Sequence, residues 1–410
     1  MNSIEKKVIA YTASSHALCH IFELTYGAVL VGIAREFGVG LFLLGVLANV
    51  VGFAFGSTAI PAGFLADKID ERRLLTAFCL GSGIAAIGVG LAPNVQLLAI
   101  ALAVLGLALG IYHPVGSAFV ARATTQRGIA FGYIGMGGNL GVALGPIMAA
   151  AIAAPMDWRA PYLVFAIPAL ILGGLILSFS RTPVPTVLED AAPSNGGRIN
   201  GASSVLPLIL ILASGMTNNF VYRGIATFMP AYFGERLGFS FFNWDSLALA
   251  GAFTTFALIF GVFGQYLGGH LSERYRREVL AVITTVVTVP LFLVVGMTAG
   301  MVLMLTAIVT SFFFFMWQPV QNNLIADYTP AAWRGRLYGL SFFVNFGLGS
   351  FSATFLGYIA ERSGLNWVFI AMAGLSLIGT ALTVGLLVER ALVKRRLQGT
   401  SEQIVDTLSK

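Results

Sequence analysis

Five ionisable side chains fall inside long apolar runs: His16, His20, Glu23, His113 and Arg223. His16, His20 and Glu23 are spaced four and three apart, which places them on one face of a helix. A histidine changes charge near neutral pH. A carboxylate can exchange a proton with it, and an arginine stays charged and grips anions through a planar fork. The set therefore suits proton exchange at Glu23, His20 and His113, with Arg223 holding an anionic group or Glu23 itself. Ionisable groups at membrane depth cost about 2.5–3.5 kcal/mol at a helix centre even on lenient scales, so they normally face a cavity. Each has a plainer reading. Glu23 and Arg223 could form an architectural ion pair. His113 precedes Pro114 and could serve carbonyls freed by a proline kink. His16 lies near the inner end of its run, where it could simply be solvated. A further reading takes His16, His20, Glu23 and His113 as ligands of a transported divalent metal.

A second set is polar but uncharged: Asn218, Asn219, Tyr222, Gln318, Gln321, Asn322 and Asn323. Asn219, Tyr222, Gln318, Gln321 and Asn322, with Arg223 and the aromatics Tyr112 and Trp317, are the expected contacts to a polar substrate. The alternative is hydrogen bonding between helices, which is common in membranes.

These residues need elements to hold them. Hydrophobic residues make up 57% of the 410-residue chain, charged residues 10%, and the mean hydropathy is +0.85. A soluble domain carries about 25% charged residues. Twelve runs are long enough to cross a bilayer as helices: roughly 10–34, 41–66, 74–92, 96–121, 128–153, 160–180, 204–232, 245–270, 279–298, 301–326, 335–360 and 366–389. They divide the chain into a bundle over 1–180, a Pro-, Ser-, Asn- and Gly-rich linker over 181–203, a bundle over 204–389 and a tail over 390–410. At about 1.5 Å per residue, Glu23 lies roughly 20 Å from the inner end of its span. The fold class is all-α, polytopic and membrane-spanning, and the lipid bilayer is its first partner.

Nineteen of the 24 Lys and Arg fall on one side of such an arrangement and four on the other, with Arg223 left within a span. That bias places both termini in the cytoplasm of a cell (inner or plasma) membrane. It also accounts for the +6 net charge without a nucleic-acid partner. Cys19 and Cys79 both sit in apolar runs and do not read as a disulfide framework. The first run is too long for a signal-peptide core and reads as a retained helix.

The two bundles are copies of one module. Gly63, Leu65, Asp67 and Lys68 align with Gly269, Leu271, Glu273 and Arg274. Tyr112-His113-Pro114-Val115 aligns with Trp317-Gln318-Pro319-Val320, Arg127-Gly128 with Arg334-Gly335, and Asn139 with Asn345. Arg35-Glu36-Phe37-Gly38 aligns with Glu235-Arg236-Leu237-Gly238, a shift that also maps Glu23 onto Arg223.

Gly63-Phe-Leu-Ala-Asp67-Lys68, followed by Arg72 and Arg73, resembles the loop between helices two and three of the major facilitator superfamily. It departs from that pattern where Asp70 and Glu71 stand. Doubled at half-length spacing, the resemblance implies twelve helices in two pseudo-symmetric six-helix bundles. It further implies that the first, fourth, seventh and tenth helices line a central cavity, bringing His20, Glu23 and His113 to face Arg223 and Gln318. Gating is then assigned to Gly63, Asp67, Lys68, Arg72, Glu273 and Arg274, with Asp67 locking the halves in the outward-facing state. Gly141-x-x-x-Gly145-Pro146 resembles the antiporter motif of drug–proton exchangers in that superfamily; it joins the gating set and implies export. Tyr112-His113-Pro114, with Arg122 below, is similar to the fosmidomycin-resistance-like branch.

No metal motif of accepted spacing, phosphate-binding Gly-Lys-Ser/Thr loop or nucleophile elbow is present. The expectation is a cofactor-free, non-enzymatic monomer whose other partners are a small-molecule substrate and protons. It would export a small organic, possibly anionic, compound in exchange for protons. Uptake of a metabolite is the alternative.

Overall fold

The computed structural model describes residues 1–180, 182, 205–238 and 246–408; among these there is no strand. The first half contains α1 (Ser3–Phe37), α2 (Leu41–Ala66), α3 (Glu71–Gly90), α4 (Val95–Leu109), α5 (Tyr112–Ala123), α6 (Arg127–Ala153) and α7 (Ala160–Phe179). The second contains α8 (Leu206–Arg236), α9 (Ser246–Arg274), α10 (Arg277–Met297), α11 (Gly300–Asp327), α12 (Arg334–Phe342), α13 (Phe351–Ser363) and α14 (Leu365–Leu408).

Local chemistry sets several boundaries. Asn2 and Glu5 form a reciprocal capping box at the start of α1, with bonds of 2.9 and 2.7 Å. Gly38 ends α1 at φ +62, and Gly238 follows α8 at φ +65. These are aligned positions of the repeat, and each uses the left-handed conformation that glycine adopts without penalty. Asp70 caps α3 by accepting from the Arg72 amide at 2.9 Å.

Ten helical segments among the described residues are long and apolar enough to cross a membrane, α4 and α5 counting as one. The remaining two membrane-length segments are α8, which carries Asn218, Asn219 and Arg223, and 334–363. Two of the twelve expected spans are less regular than the sequence suggested. The fourth breaks between Leu109 and Tyr112, because Pro114 has no N–H to offer the Gly110 carbonyl. The eleventh runs from α12 through a π-helical turn (Phe343–Gly347) and a 3-10 turn (Leu348–Ser350) into α13. Helix α14 continues beyond the expected end at 389, through Leu408. The expected linker over 181–203 lies outside the described residues, Thr182 excepted.

Within the first half α1 packs on α6 and α3 on α7; within the second α9 packs on α11 and α10 on α14. The halves meet along two seams, α2 against α12 and α6 against α9. Glycines bring both seams to backbone contact. A Cβ on Gly339 would stand 2.7 Å from the Ala59 carbonyl oxygen, and one on Gly132 would stand 3.1 Å from the Gly269 Cα.

At the basic face, each half caps a helix of the other. Neither α12 nor α6 has a side-chain cap of its own. Asp67 accepts hydrogen bonds from the Gly335 and Arg336 amides at 2.9 and 3.1 Å. Glu273, its counterpart in the repeat, accepts from the Gly128 amide. Carboxylates satisfy the orphan amides of a first helical turn and complement its dipole.

The arginines around Asp67 differ from expectation. Arg72 does not act between the halves. It bonds Asp70, the Phe179 carbonyl at 3.1 Å and the carbonyl of Thr182 at the start of the linker, none of them in the second half. Burial opposes ionisation of Asp70, but its hydrogen bonds from Arg72 prevail and hold the carboxyl below its usual range. Asp67 pairs with Arg122, at 2.5 Å, which also reaches Glu71, and with Arg336 of the second half, at 3.2 Å. Among the described residues Lys68 and Arg274 make no ion pair.

Candidate functional site

A cavity opens between the halves. Its walls come from α1 (His20), α6 (Asn139), α8 (Asn218, Asn219, Tyr222), α9 (Gln265), α11 (Trp317, Gln318, Gln321, Asn322) and the π turn (Asn345, Phe346). Many of its polar atoms find no partner within the protein, among them Asn219 Oδ1, Tyr222 OH, Gln265 Oε1, Trp317 Nε1 and Gln321 Nε2. Buried polar atoms are rarely left so, which marks the cavity as a place where hydrogen bonds are completed by something else.

Beside the cavity runs a chain of polar contacts. His16 Nδ1 is 2.7 Å from the Ile134 carbonyl oxygen on α6. His16 Nε2 and His20 Nε2 are 3.1 Å apart. His20 Nδ1 is 2.7 Å from Glu23 Oε2, and Glu23 Oε1 is 3.2 Å from Arg223 Nη2. The four and three spacing in α1 stacks the first three side chains, and the repeat sets Arg223 of α8 opposite Glu23. Arg223 also lies over the Phe346 ring at 5.3 Å. The ion pair therefore joins the two halves close to the cavity that His20 lines. Other hydrogen bonds between the halves, among the described residues, lie along the α6–α9 seam and at the basic face. Asn139 donates to the Leu258 carbonyl at 2.8 Å, and Thr255 to the Ala143 carbonyl at 3.0 Å.

Several expected residues sit elsewhere. His113 does not face Gln318. It is 3% exposed and covered by Phe342 and Phe346, with ring centroids 4.6 and 5.1 Å away. Gln318 accepts from Gln265 at 2.5 Å. Tyr112 is not at the cavity: its hydroxyl donates to the Thr12 carbonyl at 2.9 Å and its ring stacks on His16. His16 is buried, not solvated. Gly141 and Gly145 seat α6 on α1 within one half: added Cβ atoms would stand 3.0 Å from the Ala17 Cα and 3.1 Å from the Ile21 Cα. Pro146 lies one residue further along α6.

One nitrogen each from His16, His20 and His113 lies within 4.8 Å of the others, the nearest approach to a metal-ligand set among the described residues. The Nε2 atoms of His16 and His20 are, however, already spent on each other. Residues absent from the sequence reading of the site include Gln265, Phe342 and Phe346. A lone glutamine in the eighth span was the available signal for Gln265; nothing in the pattern separates Phe342 and Phe346 from other lipid-region aromatics.

The fold and the cavity define a two-bundle membrane protein with a central site. A family model described as Major Facilitator Superfamily matches residues 12–354, and the chain belongs to that superfamily of small-molecule transporters. It is 24% identical over 390 residues to the fosmidomycin resistance protein of Escherichia coli, covering 91% of each chain. It is 27% identical over 268 residues to the probable sulfoacetate transporter SauU of Cupriavidus necator, covering 60% of each. In fold it resembles the transporter FucP in the outward conformation, with TM-score 0.72 at 14% identity, covering 92% of this chain and 98% of that one.

Proposed function

We propose that the protein is a secondary active transporter that moves a small anionic organic compound with proton coupling, by alternating access through the central cavity. The Glu23–Arg223 ion pair carries this reading: it bridges the halves beside the cavity and puts an acid and an anion-binding cation in direct competition. When Arg223 turns to an anionic substrate, Glu23 loses its counter-charge and takes a proton; when substrate leaves, the pair re-forms. One cation cannot serve both partners, so substrate binding and protonation of Glu23 rise together, which couples the two movements and favours transport of proton and substrate in the same direction. Asn219, Tyr222, Gln318, Gln321 and Asn322, with Trp317, supply the hydrogen bonds and aromatic surface that a polar organic molecule needs.

The closed seams and trans caps at the basic face support an outward-facing state. The excess of Lys and Arg on that face supports its being cytoplasmic, in the cell membrane. Of the two relatives, one is named for fosmidomycin resistance and the other as a probable transporter of sulfoacetate, a small organic anion that agrees with a cation beside the cavity. In proteoliposomes with an imposed pH gradient, Glu23→Gln is expected to retain substrate counterflow and lose gradient-driven accumulation. Accumulation at the wild-type rate in Glu23→Gln would leave the ion pair as a structural clamp only.

A further inference from the structure

The chain from the Ile134 carbonyl to Glu23 contains three short contacts, and each needs one hydrogen. A carbonyl oxygen brings none, so His16 Nδ1 carries the first. Two imidazole nitrogens at 3.1 Å repel through their lone pairs unless one is protonated, so one hydrogen lies between His16 Nε2 and His20 Nε2. The third lies between His20 Nδ1 and Glu23 Oε2. Two neutral imidazoles and an ionised carboxylate supply only two hydrogens in total. With all three contacts made, the group holds one proton more than that.

We infer that His16, His20 and Glu23 form a single shared store for one proton, with His16 as its closed end and the Ile134 carbonyl as its stop. This rests on the proton-coupling reading for its role in transport, although the proton count does not.

The extra proton has three places to sit without any side chain turning. On Glu23, the carboxylic acid donates to His20 Nδ1 and His20 Nε2–H donates to His16. On His20, the imidazolium donates both ways. On His16, Nε2–H donates to His20, which donates to the ionised Glu23. Each step breaks one N–H or O–H bond and makes another across the same contact, so charge and atoms balance. While Arg223 holds Glu23 Oε1, the carboxylate stays ionised and the proton rests on the imidazoles. When Arg223 departs, the proton shifts to Glu23. Exchange with water passes through His20, the member that lines the cavity. His16 is walled off by Tyr112 and by His113, at ring distances of 5.0 and 5.1 Å. The other titratable groups near the chain are Cys19 on α1, buried beside His113, and Tyr222 on α8. A small residue is also required at Gly138 of α6, where any side chain would meet the His16 ring. Loss of the proton leaves two facing lone pairs in a buried place, which gives the chain a reason to open only when a proton can be replaced.

The test uses the full chain, labelled with 15N-histidine, in lipid nanodiscs. With four histidines in the sequence, His16→Asn, His20→Asn and His113→Asn identify the signals. The expected result is a through-hydrogen-bond coupling between one protonated and one unprotonated Nε2, which disappears in both His16→Asn and His20→Asn and persists in His113→Asn. Two unprotonated Nε2 atoms across about pH 5 to 8, or two signals that titrate independently, overturn the shared store and leave the transport reading standing. A second readout is the ratio of pH-gradient-driven accumulation to counterflow. His16→Asn is expected to lower that ratio, whereas a purely structural role for His16 lowers both rates together and keeps it unchanged. An intact coupling signal with accumulation that ignores the pH gradient overturns proton coupling, and with it the role assigned here to His16.

Discussion

In the proposed mechanism, Arg223 is the residue at which binding and coupling meet. Its guanidinium is shared between Glu23 at 3.2 Å and the face of Phe346 at 5.3 Å, while its Nε has no partner in the protein. A planar fork can hold a carboxylate, phosphonate or sulfonate group through two donors, which a lysine ammonium cannot reproduce. Arg223→Lys is therefore expected to weaken binding of an anionic substrate while preserving some coupling, and Arg223→Ala to abolish that binding. Equilibrium binding of a labelled anionic substrate to purified protein checks this. Equal affinity in wild type and Arg223→Ala would remove Arg223 from the site.

At the scale of elements, the trans caps are expected to set which state is stable. Loss of an N-cap costs about 0.5–2 kcal/mol. Asp67→Asn keeps the shape and part of the capping but drops the charge that Arg122, Arg336 and the α12 dipole all use. It should shift the population away from the state closed at the basic face without abolishing substrate binding. Spin-label distances across the α2–α12 seam report the shift; identical distance distributions in wild type and Asp67→Asn would show that the cap does not hold the seam. The glycine contacts act by distance instead of charge. In Gly132→Val, a branched side chain must fit where a Cβ already stands 3.0 Å from the Gln265 carbonyl oxygen and 3.1 Å from the Gly269 Cα. The α6–α9 seam should then open, and the same labels placed on that seam should move apart.

For the molecule as a whole, the two halves use one device twice: Asp67 of the first caps the second, and Glu273 of the second caps the first. The two caps sit on different seams and share no partner, yet both stabilise one arrangement. Their effects should therefore add, within about 0.3–0.5 kcal/mol, when Asp67→Asn and Glu273→Gln are combined. A double mutant no more shifted than either single mutant would mean that one seam alone sets the state. Membrane orientation is open to a separate check. Lys68→Cys should react with an impermeant thiol reagent only from the cytoplasmic side, and Arg236→Cys only from the other. The reverse pattern would overturn the proposed topology.

The apolar runs, the doubled Gly-x-Leu-x-Asp/Glu hairpin and the Lys/Arg bias determined the helical membrane class, the repeat and the residues that carry charge into the spans. Such signals are local or periodic, so a single chain displays them. Sequence spacing also put His16, His20 and Glu23 on one face and matched Glu23 to Arg223. What it could not decide was which neighbour each side chain meets across helices. Tyr112, His113 and Arg72 have the chemistry of site residues, yet packing turns Tyr112 toward the Thr12 carbonyl and His113 under two phenylalanines. Arg72 is drawn to Asp70 and the Phe179 carbonyl, while Arg122 and Arg336 pair with Asp67. Gln265 reaches the cavity from α9, Phe342 from the end of α12 and Phe346 from the π turn, where α9 packs on α6 and α12 on α2. The proton count along α1 likewise needs the Ile134 carbonyl, 118 residues away from His16 in sequence and 2.7 Å away in space. Contacts of that kind depend on helix rotation and approach, which small residues and proline breaks set in three dimensions and no periodicity encodes.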